Sequence, residues 1–433
     1  MRRLPEAFIS EMKKQLPETE WEAFFAIYEN PPKKGVRLNV LKGGRDELKS
    51  VLPFLKEPVP WEENGFYVEE EKVGGSPYHF AGIFYSQEPS AMSAAPLLEV
   101  KQGERVLDLC SAPGGKGTQL ACALNGEGLI VLNEPVQSRA KILSQNVERM
   151  GIRNAVVLNE YPETLSEKFG GYFDKILIDA PCSGEGMFRK NAEAALGEWS
   201  LENVALCAKR QEYILREGTK MLRQGGRLVY STCTFSESED EGQVRNYLQE
   251  HPEMRLVWQE KLYPHKIGGE GHFCAVFEKT GEVETAYVRE MKEFAPKAAQ
   301  DAYRAFEKTC LSTPIESKLH LAGETLYALP EGVFDWKGLK TLRVGVRLGE
   351  WKGSRFEPSH SLAMALKSEE CKNVLSLSCD DIRIESYLQG ELIRGEVANG
   401  WCLVCVDNFP LGWGKAVNGA VKNHFPKGLR KMR

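Results

Sequence analysis

Two cysteines stand just past apolar runs that read as buried strands. Cys182 lies in "KILIDAPCSGEGMF" and Cys233 in "GRLVYSTCTFSESEDE". A thiol attacks carbon only as the thiolate, which needs a favourable environment and access from solvent, and a loop at a strand end can supply that access. Singly, each would read as a small buried hydrophobe, the usual role of a free cysteine. As a pair, read with the rest of the chain, they suggest a reaction. Cys122, Cys207, Cys274, Cys310, Cys371 and Cys379 read as packing residues. Cys402 and Cys405 form "CLVC" without a second pair or a histidine cluster to complete a zinc site. Three apart on a strand, they would face opposite sides. His265 and His272 flank a glycine turn, and no histidine has metal-ligand spacing, so no metal is expected.

A third stretch, "VLDLCSAPGGKGTQL", reads as strand, glycine turn and helix, with Asp108 inside the strand. Gly114 and Gly115 permit close backbone approach to a ligand. The spacing is neither GxGxxG nor that of a P-loop. The next strand ends in Glu134, and an acid after the second strand is where such folds hold ribose hydroxyls. A nucleoside without a pyrophosphate suits this loop, and S-adenosylmethionine fits it. The competing reading of Glu134 is an ordinary helix N-terminal acid.

The elements that must position these residues alternate from about Gly103. "ERVLDLC", "GLIVLNE", "NAVVLN", "DKILIDA" and "GRLVYSTC" read as strands separated by helices, with "HFCAVFEK" as a last strand. This predicts an α/β fold with a doubly wound parallel sheet, whose ligands bind beyond the carboxyl ends of the strands. Both thiols sit at such ends. Residues 1–95 form an α+β extension: Phe8, Met12 and Leu16, then Trp21, Phe24, Phe25 and Tyr28, recur at helical spacing before the strand "GVRLNVLK". Residues 96–280 hold the sheet, 281–311 a charged helical connector, and 312–433 a mainly β module that includes the strand "TLRVGVRLGEW".

Composition is that of a globular chain, 42% hydrophobic and 27% charged, with no apolar run long enough for a secretory signal or a membrane span. Eleven cysteines without a framework read as reduced thiols, hence a cytoplasmic setting. The net charge of −5 does not point to a polyanion. The ending from Leu411, "LGWGKAVNGAVKNHFPKGLRKMR", does: it has six Lys or Arg and no acid, a local footprint for phosphate or else a solvated tail. Leu411 and Trp413 within it are candidates for the module's core.

"DLCSAPGGKGTQL", "NEPVQSRAKILSQNVERMG", "DKILIDAPCSGEGMFRK", "KRQEYIL", "GGRLVYSTCTFSESEDE" and "YPHKIGGEGHF" resemble the ordered motifs of the Sun-type, RsmF-like RNA cytosine-5 methyltransferases. "GVRLNVLK", "YSQEPSAMSAAPLLEV" and "FPLGWGKAVNGAVKNHFPKGLR" are similar to that family's flanking motifs. The match covers most of the chain and is weakest between about Thr280 and Asp407. It implies a Rossmann-like methyltransferase core, an N-terminal RNA-binding extension and a C-terminal PUA-like module. Cys110, Ser111, Ala112, Pro113, Gly114, Gly115 and Lys116 would line the methionine end of S-adenosylmethionine. Glu134 would take the ribose, and Asn159, or its neighbour Glu160, the adenine side. Asp179 would sit at the reacting face, touching cofactor and base, with Lys116 against its loop.

The resemblance assigns the nucleophile to Cys233 and product release to Cys182. Carbon 5 of cytosine is too weak a nucleophile until a thiolate adds at carbon 6. Asp179 would stabilise charge developing on the ring. The base must be single-stranded or flipped out. Arg37, Asn39 and Arg210, and in the tail Lys422, Lys427 and Arg430, are candidate RNA contacts, as are Arg189 and Lys190. The expected partner is ribosomal RNA or a ribosomal subunit, with transfer RNA as the alternative, and the protein is expected to act as a monomer. A DNA cytosine-5 enzyme would use only the "PC" thiol. A non-catalytic RNA-binding factor would not need both.

Overall fold

The computed structural model describes residues 4–69, 73–190, 192–353 and 355–431. Its centre is an eight-stranded sheet. In chain order the strands are β1 (Arg105–Asp108), β2 (Leu129–Asn133), β3 (Ala155–Leu158), β4 (Phe173–Asp179), β5 (Leu222–Thr232), β6 (Met254–Leu262), β7 (His272–Lys279) and β8 (Thr341–Val344). The spatial order is β6-β7-β5-β4-β1-β2-β3-β8, parallel from β3 through β5 and antiparallel at both margins. Every residue of β2 and β3 is buried, as a parallel strand covered on both faces requires. Alternate residues serve two cores: Leu107, Val131 and Val156 face one layer, Val106, Ile130 and Val157 the other. This is the doubly wound, Rossmann-like α/β sheet expected from the alternation.

The flanks close on each other. Helices Glu6–Gln15 and Glu18–Ala26 precede a four-stranded antiparallel sheet containing Lys34–Leu38 and Phe84–Ser86. At the other end of the chain, Gly400–Val406 and Phe409–Val417 lead a five-stranded sheet. Val36, Leu38, Phe66 and Phe84 of the first share one hydrophobic core with Leu375, Tyr387, Cys402, Leu411 and Val421 of the second. Tyr78 Oη donates to Asp407 Oδ2 across this seam at 2.6 Å. Cys405 and Trp413 face the opposite side, packing with Tyr303 and Phe306 of helix Lys297–Cys310. Cys402 and Cys405 are thus packing residues on two faces of one strand.

Two expectations about secondary structure fail. Residues 282–296 are not helical. Their backbone N–H groups bond to other segments, Ala286 to Gly170, Met291 to Val333 and Phe294 to Leu319, and the helix starts only after Pro296. The run "TLRVGVRLGEW" is two strands in two sheets. Thr341–Val344 pairs with β3, whereas Val346–Lys352 pairs within the C-terminal region. Gly345 between them has φ +53°, and a side chain there would collide with the carbonyl of Ala328.

Candidate active site

Adjacent parallel strands bring the two thiols together. Asp179, the last residue of β4, stands in register with Ser231 of β5, so the loops that follow leave the sheet side by side. Cys182 Sγ lies 3.2 Å from Cys233 Sγ and accepts from the Cys233 N–H at 3.3 Å. The hydrogen bond with Cys233, reinforced by burial, holds Cys182 well above the ordinary thiol range, so Cys182 stays protonated.

Two of the acids that follow Cys233, Glu239 and Asp240, are clamps, whereas Glu237 is exposed. Glu239 is fully buried and accepts from the Ser183 N–H at 3.0 Å and from Gln211 Nε2 at 2.8 Å. In return, Glu185 of the first loop accepts from the Phe235 N–H of the second at 2.9 Å. Asp240, also fully buried, pairs with Lys261 at 3.0 Å and accepts from Thr232. Each thiol loop therefore holds the other. The N-terminal helices brace them from outside, Phe8 and Phe24 packing on Phe188 and Phe235.

Beside the thiols, Lys116 Nζ lies 2.9 Å from Asp179 Oδ2, and Ser231 Oγ donates to Oδ1 at 2.9 Å. Burial would raise the Asp179 carboxyl, but Lys116, His272 and Ser231 outweigh it and hold it below its ordinary value. Lys116 in turn is pushed up against the pull of burial by Asp179. The carboxylate is ionised and partly open, whereas the ammonium is buried.

The glycine turn joins β1 to helix Gly115–Leu124. Gly117 is required there: a Cβ would lie 2.5 Å from Ser111 Oγ and 2.9 Å from Asp108 Oδ2. Cys110 is partly exposed at the strand end, with its thiol pushed well up by burial and by Asp108. The Ser111 N–H donates to the carbonyl of Asn133, Ala112 O accepts from Arg139, and Pro113 O from Asn146. Glu134 is buried, pairs with Arg139 at 3.1 Å and accepts from the Val136 N–H at 2.9 Å. It follows β2 directly and caps the turn into the next helix. Asn159 Nδ2 donates to the carbonyls of Glu134 and Pro135, and Glu160 accepts from the Lys340 N–H, so both adenine-side candidates hold neighbouring backbone.

Three expected phosphate contacts are corrected. Arg37 is 1% exposed; its guanidinium donates to Gln87 Oε1, Gly115 O, Thr118 Oγ1 and Cys122 Sγ, pinning the N-terminal sheet to the glycine-turn helix. Asn39 is fully buried and donates to the carbonyls of Gly82 and Met150. Arg189 forms a buried pair with Glu270. None of the three can reach a phosphate. Lys190, Arg210, Lys422 and Lys427 are exposed; Arg430 is half-buried against Gly390. Sequence reasoning missed Glu185, Ser231, Glu239, Asp240 and His272. Only the density of acids after Cys233 hinted at any of them. No metal-holding group occurs among the described residues, and no helix among them is long and apolar enough to cross a membrane.

Four family models match in sequence. The 16S rRNA methyltransferase RsmB/F model covers residues 95–292 and the N-terminal domain of RsmF residues 4–89. The first C-terminal domain of RsmF covers 305–366 and its PUA domain 374–431. Ribosomal RNA small subunit methyltransferase F of Vibrio vulnificus is 33% identical, over 98% of this chain and 97% of its own. The protein of that name from Shewanella oneidensis is 30% identical, over 98% and 96%. A methyltransferase homolog from Pyrococcus horikoshii shares the fold with TM-score 0.56 and 25% identity, over 64% of this chain and all of its own. NSun6 of the same organism, solved with SFG, superposes with TM-score 0.58 at 22% identity, over 64% and 99%. A likeness that runs nearly end to end through every part of the chain, the sheet with its paired thiols included, makes this protein a member of the RsmB/F family of rRNA methyltransferases.

Proposed function

We propose that the protein transfers a methyl group from S-adenosylmethionine to carbon 5 of a cytosine in small-subunit ribosomal RNA, through a covalent Cys233 adduct resolved with the help of Cys182. The observation that carries this reading is the 3.2 Å approach of two thiols beside an ionised Asp179. A DNA-type enzyme would need one thiol, and a binding factor none. The names of the relatives support the RNA class.

The residues at the glycine turn fit a cationic nucleoside. Among the described residues, both carboxylate oxygens of Asp108 and the hydroxyl of Ser111 are buried without a hydrogen bond of full geometry, and Ser111 and the Cys110 N–H give Asp108 only weak contacts. Burial raises the Asp108 carboxyl to about 7, with Asp179 adding to the rise. Two carboxylates therefore face one ammonium, that of Lys116, and a ligand bringing positive charge restores the balance. Cys110 to Lys116 and Glu134 would hold it. When bound, S-adenosylmethionine supplies an electrophilic methyl at a sulfonium.

The chain's own residues do the rest. The family resemblance gives the attack to Cys233, whose sulfur bonds carbon 6 as a thiolate while the ring electrons shift toward N3 and carbon 5, and the raised thiol of Cys182 agrees with that division. Asp179 accepts from the amino group and fixes the ring, while a solvent proton at N3 neutralises the negative charge that the addition brings there. Once carbon 5 carries the methyl, a solvent base takes its proton and N3 gives up the one it gained, so that the sulfur–carbon 6 bond breaks and the aromatic ring is restored. Cys182, in contact with the departing sulfur, is placed to return a proton to it. The extension and the PUA module, joined by one core, would present the RNA as a single body. Bisulfite sequencing of RNA from cells with and without the protein tests the assignment. One protected cytosine in small-subunit RNA is expected. Protection confined to transfer RNA would move the substrate, and none at all would overturn the reaction.

A further inference from the structure

His272 opens β7 directly behind Asp179 and is 1% exposed. Among the described residues, neither of its ring nitrogens makes a hydrogen bond of full geometry, and only the backbone of Gly271 offers one of them a weak contact. Buried polar groups are rarely left so, and an exception calls for a ligand or a second state. The ring is not adrift: its Nε2 lies 3.8 Å from Asp179 Oδ1, the oxygen that Ser231 already holds. A carboxylate oxygen accepts more than one hydrogen bond, so Oδ1 has room for a second donor. A closure of under about 1 Å would make this one.

We propose that His272 is the positioning residue for Asp179, its Nε2–H donating to Oδ1 when a base enters and fixing the carboxylate against the ring. The inference rests on the role of Asp179 in the proposed function. With Lys116 on Oδ2, Ser231 and His272 on Oδ1, the carboxylate would be held from three sides and could not swing as the RNA base arrives. The imidazole suits this task because it brings a donor without a charge. Burial and the neighbouring Lys116 push it down to about 3, so it is neutral at any working pH. A second cation here would oppose a positively charged cofactor.

The charged and titratable groups around this pair are Lys116 on the glycine-turn helix, Asp108 on β1, Cys233 beyond β5 and Cys274 on β7 itself. Glu270 in the preceding loop is paired with Arg189. Lys116 and Ser231 already hold Asp179 ionised, below 3.8 and so outside the pH range of an assay, and the contribution of His272 is read in rate and geometry, not in a titration.

The test uses the full-length protein, S-adenosylmethionine and small ribosomal subunits from cells lacking the enzyme. H272F keeps an aromatic ring without a donor; H272Q restores a nitrogen donor at the position of Nε2. We expect H272F to lower kcat about tenfold with KM for subunits and melting temperature near wild type. H272Q should recover most of the rate. Wild-type kcat in H272F would overturn the proposal, as would equal losses in H272F and H272Q with a lowered melting temperature. D179A separates the two layers: if it keeps wild-type rate, the role of Asp179 falls and this proposal with it. If D179A is inactive and H272F normal, only this proposal falls.

Discussion

Two polar regions lie within a few residues of the same helix and are built on opposite terms. On the seam between the N-terminal sheet and helix Gly115–Leu124, capacity is satisfied from within: Arg37 has four acceptors, Gln87 bonds Gln119, and Gln119 bonds Glu62 and the carbonyl of Met92. On the carboxyl side of the sheet, Asp108, Ser111 and His272 are equally buried and, among the described residues, their side chains make no hydrogen bond of full geometry. Polar groups that complete one another make a rigid joint, whereas buried groups left incomplete await something the chain does not contain. That difference separates structural motif residues from functional ones.

The strongest way to break the comparison is through the thiols. C233A should lower methylation by at least about 10⁴-fold, the scale on which nucleophiles are lost. It should also abolish an RNA adduct on denaturing gels. C182A should accumulate that adduct. If C233A still forms the adduct and C182A does not, the roles are reversed and the protonated state of Cys182 has been misread.

Asp108 sharpens the contrast through pH. Its ordinary value is 3.8 and its folded value about 7, so between these the folded state keeps a proton that the unfolded chain releases. Its contribution is full below about pH 4 and is lost as pH rises through 7, at about 1.4 kcal/mol per pH unit and about 4 kcal/mol in all. D108N should be flatter in denaturant titrations at pH 5 and 8 without cofactor, and more stable than wild type at pH 8. Parallel curves for the two proteins would show that Asp108 already has its partner.

Arg37 gives the opposite result if the seam is purely structural. R37M leaves buried acceptors unpaired and should cost about 3 kcal/mol in denaturant unfolding. The slope of RNA affinity against salt should not change, because no phosphate contact is lost. A flattened slope with unaltered stability would restore Arg37 to the RNA interface.

Much of this was legible in the sequence. The alternation of apolar runs with helical stretches located the sheet, and the ends of "DKILIDA" and "GRLVYSTC" located the thiols. Their 3.2 Å approach was not legible, because it depends on which strands are neighbours and on the Asp179–Ser231 register. The same limit hid the clamps. Glu237 and Glu239 look alike in "SESED", yet one is exposed and the other fully buried, a difference set by Ser183 and Gln211 from elsewhere in the chain. Arg37 and Asn39 misled for the converse reason. A strand of five residues shows which types are present but not that its polar side chains bond to backbone over 40 residues away. Gly345 was the one visible mark within "TLRVGVRLGEW", and only its φ reveals that it divides two sheets.

The smallest effect concerns the tail, where only part of the charge is satisfied within or buried. Leu411 and Trp413 are core residues, so truncation from 411 would unfold the module rather than test its charge. Five basic residues follow within the described ending, and they are not equivalent. Lys431 pairs with Glu385 at 2.9 Å, and Arg430 lies on Gly390, its Nε buried. Lys415 is exposed but lies over the Trp401 ring. Lys422 and Lys427 are exposed. If RNA phosphates meet this face, those last two are the freest contacts, each worth about one unit of the logarithmic salt slope. K422Q/K427Q should therefore flatten the slope by about two and weaken binding about tenfold near physiological salt, with the melting temperature and cofactor affinity unchanged. K431Q should leave the slope alone and instead lower stability by less than about 1 kcal/mol, the scale of an exposed ion pair. An unchanged slope in K422Q/K427Q would make the tail solubilising charge. Loss of slope in K431Q alone would mean that RNA competes with Glu385 for Lys431, so that the tail rearranges on binding.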